Sequence, residues 1–400
     1  MFVGWDWASK THDVTVLHPD GSVAERWALC HDEADLTATL ARLAGHGEPA
    51  DLPVAIEAST GLIVERLAAA GHPVVPIHPN AFHAARPRWG ASKAKSDPGD
   101  SYKLADYLRT DGHRLVRLKP IDEATRNLQL LTRSRGDHVD AKVAATNQLD
   151  ALLAVHWPGA GAVFARLDSD IALDFLDRYP TPTSTAHLGE ARMAAFCRRH
   201  GYCGRRPPAE LLARLRAAPA TTGMLGGDTL TDVIRAQVRL LRSLLASIDE
   251  LDHAIVAALP SHPKTALLAS LPRIGQIHLA QILAEVGPIL DRATTFAQAC
   301  AEVGVTPVTK QSGNHEAVHF RWAVNTRSRD AFTRWADNSR HANDWAAQRY
   351  RDARRRGHRH PTATRILARS WLRVIWACWQ ANTAYQPDRH TRAVHAQTAA

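Results

Sequence analysis

The chain has 400 residues, 45% of them hydrophobic, and a formal charge of +9. That length holds two or three domains with real cores. No apolar run reaches the roughly 18 residues of a membrane-spanning helix, and the charge at position 6 argues against a signal peptide. The five cysteines, Cys30, Cys197, Cys203, Cys300 and Cys378, are scattered and odd in number, which excludes a disulfide framework and suggests a reducing cytoplasm.

Residues 3–7, 14–18 and 22–29 read as three successive strands, the last two joined by a Pro19-Asp20-Gly21 turn as an antiparallel hairpin. Helical periodicity follows over 34–43, then a short buried strand at 54–57, a helix over 62–70 and a strand at 74–77. Three strands followed by helix, strand, helix, strand predict an α/β domain with a mixed sheet and one antiparallel edge. A basic loop over 86–95 leads to a helix from 97 or 98 to about 109, with Pro98 suited to its first position, and 115–118 reads as a last strand or a linker. Two long charged helices, about 121–155 and 230–259, predict a coiled-coil or bundle arm, a common dimerisation device. The Pro-, Gly-, Thr- and Arg-rich stretch between them, about 160–227, carries no placeable pattern.

Leu268 to Gly275 leads into a helix ending near Val286-Gly287. That layout suits either a hairpin that grips a DNA backbone by its amides or an ordinary packing unit. Positions 304–313 read as a loop, 330–356 and 362–384 as helices, and 386–400 as a disordered polar tail. The division expected is 1–118, 119–263 with its poorly defined insert, 264–385, and the tail.

Charge is unevenly spread. Between positions 321 and 373 stand fourteen Arg and no Lys, against four Asp and no Glu, a surplus of +10 that exceeds the whole chain's. Arginine bias follows from a GC-rich genome, but local clustering is what a phosphate backbone selects. Arg321, Arg327, Arg354, Arg355 and Arg356, together with Lys93, Lys95 and Lys310, are the candidate nucleic-acid contacts. The six tryptophans interleaved with these arginines have the spacing of core residues, with one or two left to stack on unpaired bases. Cys197, His200 and Cys203 make half of a zinc site with no second half at a sensible spacing.

Four carboxylates carry the strongest chemical signal. Asp6 stands inside the apolar run Phe2-Val3-Gly4-Trp5-Asp6-Trp7, Glu57 ends Pro53-Val54-Ala55-Ile56-Glu57, and Asp97 and Asp100 share the first turn of one helix. Asp97 with Asp100 also fits a capping box, and Glu57 alone is an ordinary strand-end charge. Converging carboxylates at buried strand ends repel unless a cation sits among them. Mg²⁺ takes hard oxygen ligands, and two such ions about 4 Å apart cut phosphodiesters. Ser312, in Lys310-Gln311-Ser312-Gly313, is either a turn residue or a nucleophile that needs a base or a metal.

These pieces together resemble the DEDD-type transposases of bacterial insertion sequences, which join a RuvC-like (RNase H-fold) domain to a second domain bearing a catalytic serine. The resemblance rests on Gly4-x-Asp6 with Ser9-Lys10, Glu57-Ala58-Ser59-Thr60-Gly61, Lys95-Ser96-Asp97-x-x-Asp100 and Leu104-Ala105. It continues through Leu271-Pro272-x-Ile274-Gly275, Glu285-Val286-Gly287, Phe296, Gly304-Val305-x-Pro307 and Gln311-Ser312-Gly313, covering about 1–155 and 265–385. It implies that Asp6, Glu57, Asp97 and Asp100 bind Mg²⁺ and that Ser312 attacks DNA to form a phosphoserine link. It also implies dimers or tetramers with a composite site, and guidance by a structured non-coding RNA that pairs with donor and target DNA. Ser101 departs from the family's usual alanine, Arg273 from a frequent glycine, and Trp5 and Trp7 from smaller or aliphatic neighbours of Asp6.

Three rivals remain at this stage. A RuvC-like nuclease would use water, leaving Ser312 as a turn residue. An actin-like or sugar-kinase ATPase also opens on Gly-x-Asp, but Trp7-Ala8-Ser9-Lys10 offers no glycine turn for nucleotide phosphates. A non-catalytic nucleic-acid-binding relative of a transposase would not need its carboxylates.

Overall fold

The computed structural model describes residues 1–90, 97–219, 227–313 and 315–388, the side chains of 97, 98 and 315 excepted. Lys93, Lys95 and nearly all of the expected tail lie outside the described residues. The chain forms two compact units, Met1–Pro120 and Ile121–Ala400.

In the first unit, β1 (Phe2–Asp6), β2 (Thr11–Leu17) and β3 (Val23–Cys30) form an antiparallel meander. Gly21 takes φ 93° in the β2–β3 turn, a conformation that glycine adopts without strain. α1 (Glu33–Ala44) starts at Asp32, whose carboxylate accepts the Asp35 amide. β4 (Val54–Ile56) then runs parallel to β1, and after α2 (Leu62–Ala69) β5 (Val74–Pro76) runs parallel to β4. The strand order is β3-β2-β1-β4-β5. α3 (Pro79–Ala85), a single 3₁₀ turn (Arg86–Trp89) and α4 (Asp97–Asp111) complete the unit. Positions 115–118 form no strand, although the Leu118 amide donates to Val74 O at 2.7 Å.

Strand periodicity sorts the two faces. Val3, Trp5, Val14 and Val16 pack with Leu36, Leu43, Ile63, Val64 and Leu67, so α1 and α2 cover one face. Ala55 and Val75 pack with Leu104 and Leu108 of α4 on the other. Gly4 is what lets α4 approach: a Cβ there would lie 2.0 Å from Ser101 O and 2.5 Å from Ala105 N. The departure at Ser101 is also explained, because its buried hydroxyl bonds Thr15 Oγ1 at 2.8 Å. Gly4→Ala is expected to destabilise the unit by about 3 kcal/mol, since backbone must shift. A wild-type midpoint in urea unfolding would refute this close contact.

The second unit is mainly helical. α5 (Glu123–His156) is followed by α6 (Pro158–Val163), α7 (Asp170–Arg178), α8 (Glu190–Arg199), α9 (Pro208–Ala217) and α10 (Gly227–Ala258). α5 and α10 lie antiparallel, because Leu128 shares a core with Ile255, while Leu149 and Leu153 share another with Leu230 and Ile234. The segment from 158 to 217 has no legible pattern because its helices span only 6 to 10 residues, too few turns for a period. They close on aromatics: Phe175 meets Phe164, Phe196 and Tyr179 at centroid distances of 5.7, 5.7 and 5.2 Å. Cys197 is buried in this core and His200 bonds Asp174 at 2.6 Å, so these side chains are committed to packing and an ion pair.

The remaining elements are α11 (Thr265–Leu268), α12 (Gln276–Glu285), α13 (Gly287–Arg292), α14 (Phe296–Val303), β6 (Val308–Ser312), β7 (His315–His319), α15 (Thr326–Ser339), α16 (Asp344–Arg355) and α17 (His360–Gln380). Two expectations change here. Within the loop expected over 304–313, positions 308–312 form β6, paired with β7; most of β6 is exposed, so no alternation announces it. The helix expected over 330–356 is two helices, because Asn343 accepts the Ala346 amide at 2.9 Å and starts a new one.

The turn before α12 explains another departure. Arg273 sits at φ 51°, a left-handed conformation that glycine takes without cost. The turn is pinned by Trp335 Nε1 to Pro272 O at 3.1 Å and Asn338 Nδ2 to Arg273 O at 3.4 Å. Arg273→Gly is expected to stabilise the protein by about 0.5–1 kcal/mol, the relieved strain being partly offset by unfolded-chain entropy. A lower melting temperature would contradict it.

Three histidines are held below their ordinary 6.5, each chiefly by burial: His12, with His31 adding repulsion; His262; and His278, with Arg334 and Arg135 adding repulsion. The unfolded chain takes up these protons first. Stability is therefore expected to fall as pH drops below about 6.5, down to the lowered folded values. Urea titrations at pH 7.5 and 5.5 would show it, and equal midpoints would refute it.

Candidate active site

The sheet geometry assembles the site. Ala55 pairs with Gly4, so alternation puts Glu57 and Asp6 on the face that α4 covers. Asp13 lies opposite Asp6 in the β1–β2 register and shares that face with Thr15. α4 delivers Asp100 in its first turn. Asp6, Asp13, Glu57 and Asp100 all line one open pocket of about 170 Å³, together with Arg86, Trp7, Ala8 and Thr11. Asp97 begins α4 one helical turn before Asp100, and its side chain lies outside the described residues.

Asp100 is the most enclosed of these groups, its side chain 4% exposed. Its oxygens accept from Arg86 Nη2 at 2.8 Å and from Lys103 Nζ at 2.9 Å. The carboxylates face one pocket without collapsing onto one point. Among the described residues, the group whose possible ligand atoms all fall within 4.8 Å is Cys30, Asp32 and Asp35 at the surface. That group is a helix cap, with Asp35 Oδ2 accepting the Cys30 amide at 2.7 Å. The carboxylate oxygens that line the pocket are of the kind a hard divalent cation takes.

Sequence reasoning missed Asp13 and Arg86. The signal for Asp13 was strand alternation, since it sits two residues before Thr15 on an inward face. Arg86 opens the basic stretch over 86–95, and nothing in the sequence pointed it at Asp100.

In the second unit, Ser312 ends β6, exposed, and pairs in register with His315; Gly313 at the tip takes φ 56°. Lys310 is exposed on the same strand. Arg321 donates to Thr306 O at 3.3 Å and Pro307 O at 3.4 Å, bracing the hairpin's base. Arg327 is exposed and pairs with Asp137 at 3.4 Å. Arg354, Arg355 and Arg356 are exposed at the C-terminal end of α16, where they also complement the helix dipole. Of the six C-terminal tryptophans, Trp335, Trp371 and Trp379 are buried and Trp345 and Trp376 are partly buried against the same core. Trp322 differs at 80% exposure: it meets Phe320 edge-on at 4.8 Å, and Arg329 and Arg365 lie over Phe320 at 4.7 and 4.9 Å. Among the described residues no helix is long and apolar enough to cross a membrane.

Comparison with known proteins identifies the family. Residues 3–158 match the DEDD transposase profile of the IS110 type, and residues 265–351 match the profile "Transposase IS116/IS110/IS902 family". The chain is 31% identical over 404 aligned positions to the "Mini-circle putative transposase for IS117" of Streptomyces coelicolor, covering 97% of this chain and 96% of that protein. It is 26% identical to the "Insertion element IS900 uncharacterized 42 kDa protein" of Mycobacterium paratuberculosis, over 98% and 99% of the two chains. It is also 26% identical to the "Insertion element IS110 uncharacterized 43.6 kDa protein" of Streptomyces coelicolor, over 96% and 95%. Domains of the DEDD type generally use divalent metals, and the pocket's oxygen donors are of the kind such metals take. The full-length match to a relative above 30% identity removes the ATPase alternative: the chain belongs to the IS110/IS116/IS902 family of insertion-sequence transposases, enzymes that transfer DNA.

Proposed function

We propose that this transposase cuts and rejoins DNA strands by Mg²⁺-assisted attack of Ser312, in an RNase H-like (RuvC-like) N-terminal domain paired with a serine-bearing C-terminal domain. The observation that carries the proposal is the common pocket of Asp6, Glu57 and Asp100. The strand order β3-β2-β1-β4-β5, with acidic residues on β1, directly after neighbouring β4 and on the covering helix, supports the RNase H-like assignment. With Asp97, these groups would hold two Mg²⁺ ions, which supply charge neutralisation at the scissile phosphate and a more acidic serine hydroxyl. Ser312 Oγ forms the new bond to phosphorus as the bond to a deoxyribose oxygen breaks. The serine proton passes to solvent, and the departing oxygen takes one from solvent and leaves as a free hydroxyl. The phosphoester link conserves bond energy, so reversal rejoins strands without ATP. An exposed serine at a hairpin tip suits a nucleophile that reaches a strand held elsewhere.

Residues 1–118 would be the catalytic domain, 119–263 the helical arm and 264–385 the serine-bearing domain. Exposed Leu130, Val143 and Val155 on α5 and Val233 and Leu240 on α10 support assembly into dimers or tetramers through the long helices. Exposed Lys310, Arg327 and Arg354–356 would neutralise backbone phosphates without reading bases. Sequence choice would fall to a structured guide RNA, for which family membership is the support. Five free cysteines fit a reducing bacterial cytoplasm.

The test is to incubate the full-length protein with donor DNA and guide RNA, with Mg²⁺ or with EDTA, and resolve the products under denaturing conditions. A Mg²⁺-dependent covalent protein–DNA band is expected. Free 5′-phosphate ends with no attached protein would instead establish water as the nucleophile.

A further inference from the structure

Both oxygens of Asp100 are engaged by cations, and the two cations differ in kind. Lys103 lies three residues along α4, so it travels with Asp100. Arg86 comes from the end of α3, separated from α4 by the segment that carries Lys93 and Lys95, and lines the pocket itself. Its guanidinium carbon lies 5.2 Å from the centroid of the Phe82 ring. It places Nη2 2.8 Å from Asp100 Oδ2, while its Nε is buried with no acceptor among the described residues. A guanidinium is a fork matched to two oxygens of one carboxylate or phosphate. Here the fork is only partly used, at the mouth of a pocket lined by four carboxylates.

We propose that Arg86 is an exchangeable counterion and positioning residue: it holds Asp100 Oδ2 in the cation-free pocket and transfers to a non-bridging oxygen of the DNA phosphate when a divalent cation takes Asp100. The proposal rests on the catalytic function argued above. Burial leaves Asp100 little water to screen it, so a positive charge must be present in either state. Lys103 supplies part of that charge on the same helix in both states; Arg86 supplies the rest at Oδ2, from a separate element, and a divalent cation replaces it there. The displaced guanidinium then has both donors for the anion that accompanies the metal. Removing Arg86 should therefore help metal and hinder DNA, opposite effects that a merely structural ion pair would not produce.

The experiment uses full-length wild type, Arg86→Gln, Arg86→Lys and Asp6→Asn. Mn²⁺ binding without DNA is measured by electron paramagnetic resonance of the free ion, and donor-DNA affinity is measured with and without Ca²⁺. Arg86→Gln is expected to bind Mn²⁺ about tenfold more tightly and to lose about tenfold in the Ca²⁺-dependent part of DNA affinity. Arg86→Lys, which keeps the charge but not the fork, is expected to keep near-wild-type Mn²⁺ affinity and to lose part of the Ca²⁺-dependent DNA affinity. It stands as the second probe if the glutamine variant does not fold. Unchanged or weaker Mn²⁺ binding in a folded Arg86→Gln, with binding still sensitive to Asp6→Asn, overturns this proposal alone. The same holds if Arg86→Lys, used as that second probe, matches wild type in both measurements. Mn²⁺ binding indifferent to Asp6→Asn overturns the metal site and this proposal with it.

Discussion

Ser312→Ala is expected to abolish the covalent protein–DNA band, with strand transfer falling by at least about 10³-fold, the scale seen when a nucleophile is removed. Binding of donor DNA is expected to stay within about twofold of wild type, because phosphate contacts dominate such affinity. The contrast is sharp because of where the residue lies. Ser312 is exposed at the end of β6, and its place there is held by backbone pairing with β7. Losing a hydroxyl leaves that pairing and the helical core untouched. A melting temperature equal to wild type is the control for fold. A mutant that still forms the covalent band would show that another side chain attacks, while slow uncoupled hydrolysis would mark water entering the vacated position.

Asp6→Asn is expected to lower strand cleavage by roughly 10³-fold, the cost of losing one preorganised electrostatic group at a phosphoryl centre. Asparagine matches the volume, so β1 and its register with β2 and β4 should persist. Asp13 stands directly opposite Asp6, and like charges at such a cross-strand position are destabilising. The variant is expected to stay folded while losing activity. Circular dichroism melts beside a cleavage assay test both halves. Retained cleavage would remove Asp6 from the catalytic machinery, and a large fall in melting temperature would mark Asp6 as structural. Glu57→Gln should behave alike, since Glu57 follows the Trp5–Ile56 pair on the adjacent strand.

Much of the N-terminal unit was legible from residues. Strict alternation, the Pro19-Asp20-Gly21 turn and the order of strand and helix signals gave its mixed sheet, because one-sided burial writes itself into a period of two. The pocket carboxylates Asp6 and Glu57 were legible for a related reason, since a charge in or at the end of an apolar run needs a purpose; Asp100 was legible from its spacing of three from Asp97 at the start of a helix. Asp13 was legible only as a residue on one face of a strand by alternation; the register that sets it opposite Asp6 depends on long-range pairing. The β6–β7 hairpin escaped notice because its strands are largely exposed. The helices between 158 and 217 did so because each is too short to display a stripe.

The sequence by itself determined that three strands precede an alternating run, that acidic groups end two of the apolar strands and open a helix, and that a basic, tryptophan-rich region lies near the C-terminus. These are local facts, carried by turn chemistry, periodicity and composition. Only the tertiary structure decided that α4 lies against β1 at a distance only glycine permits, that Asp13 joins the acidic pocket, and that Arg86 reaches Asp100. Those outcomes depend on sheet register and helix packing between residues far apart in the chain, and such long-range pairings leave no periodic trace in either partner.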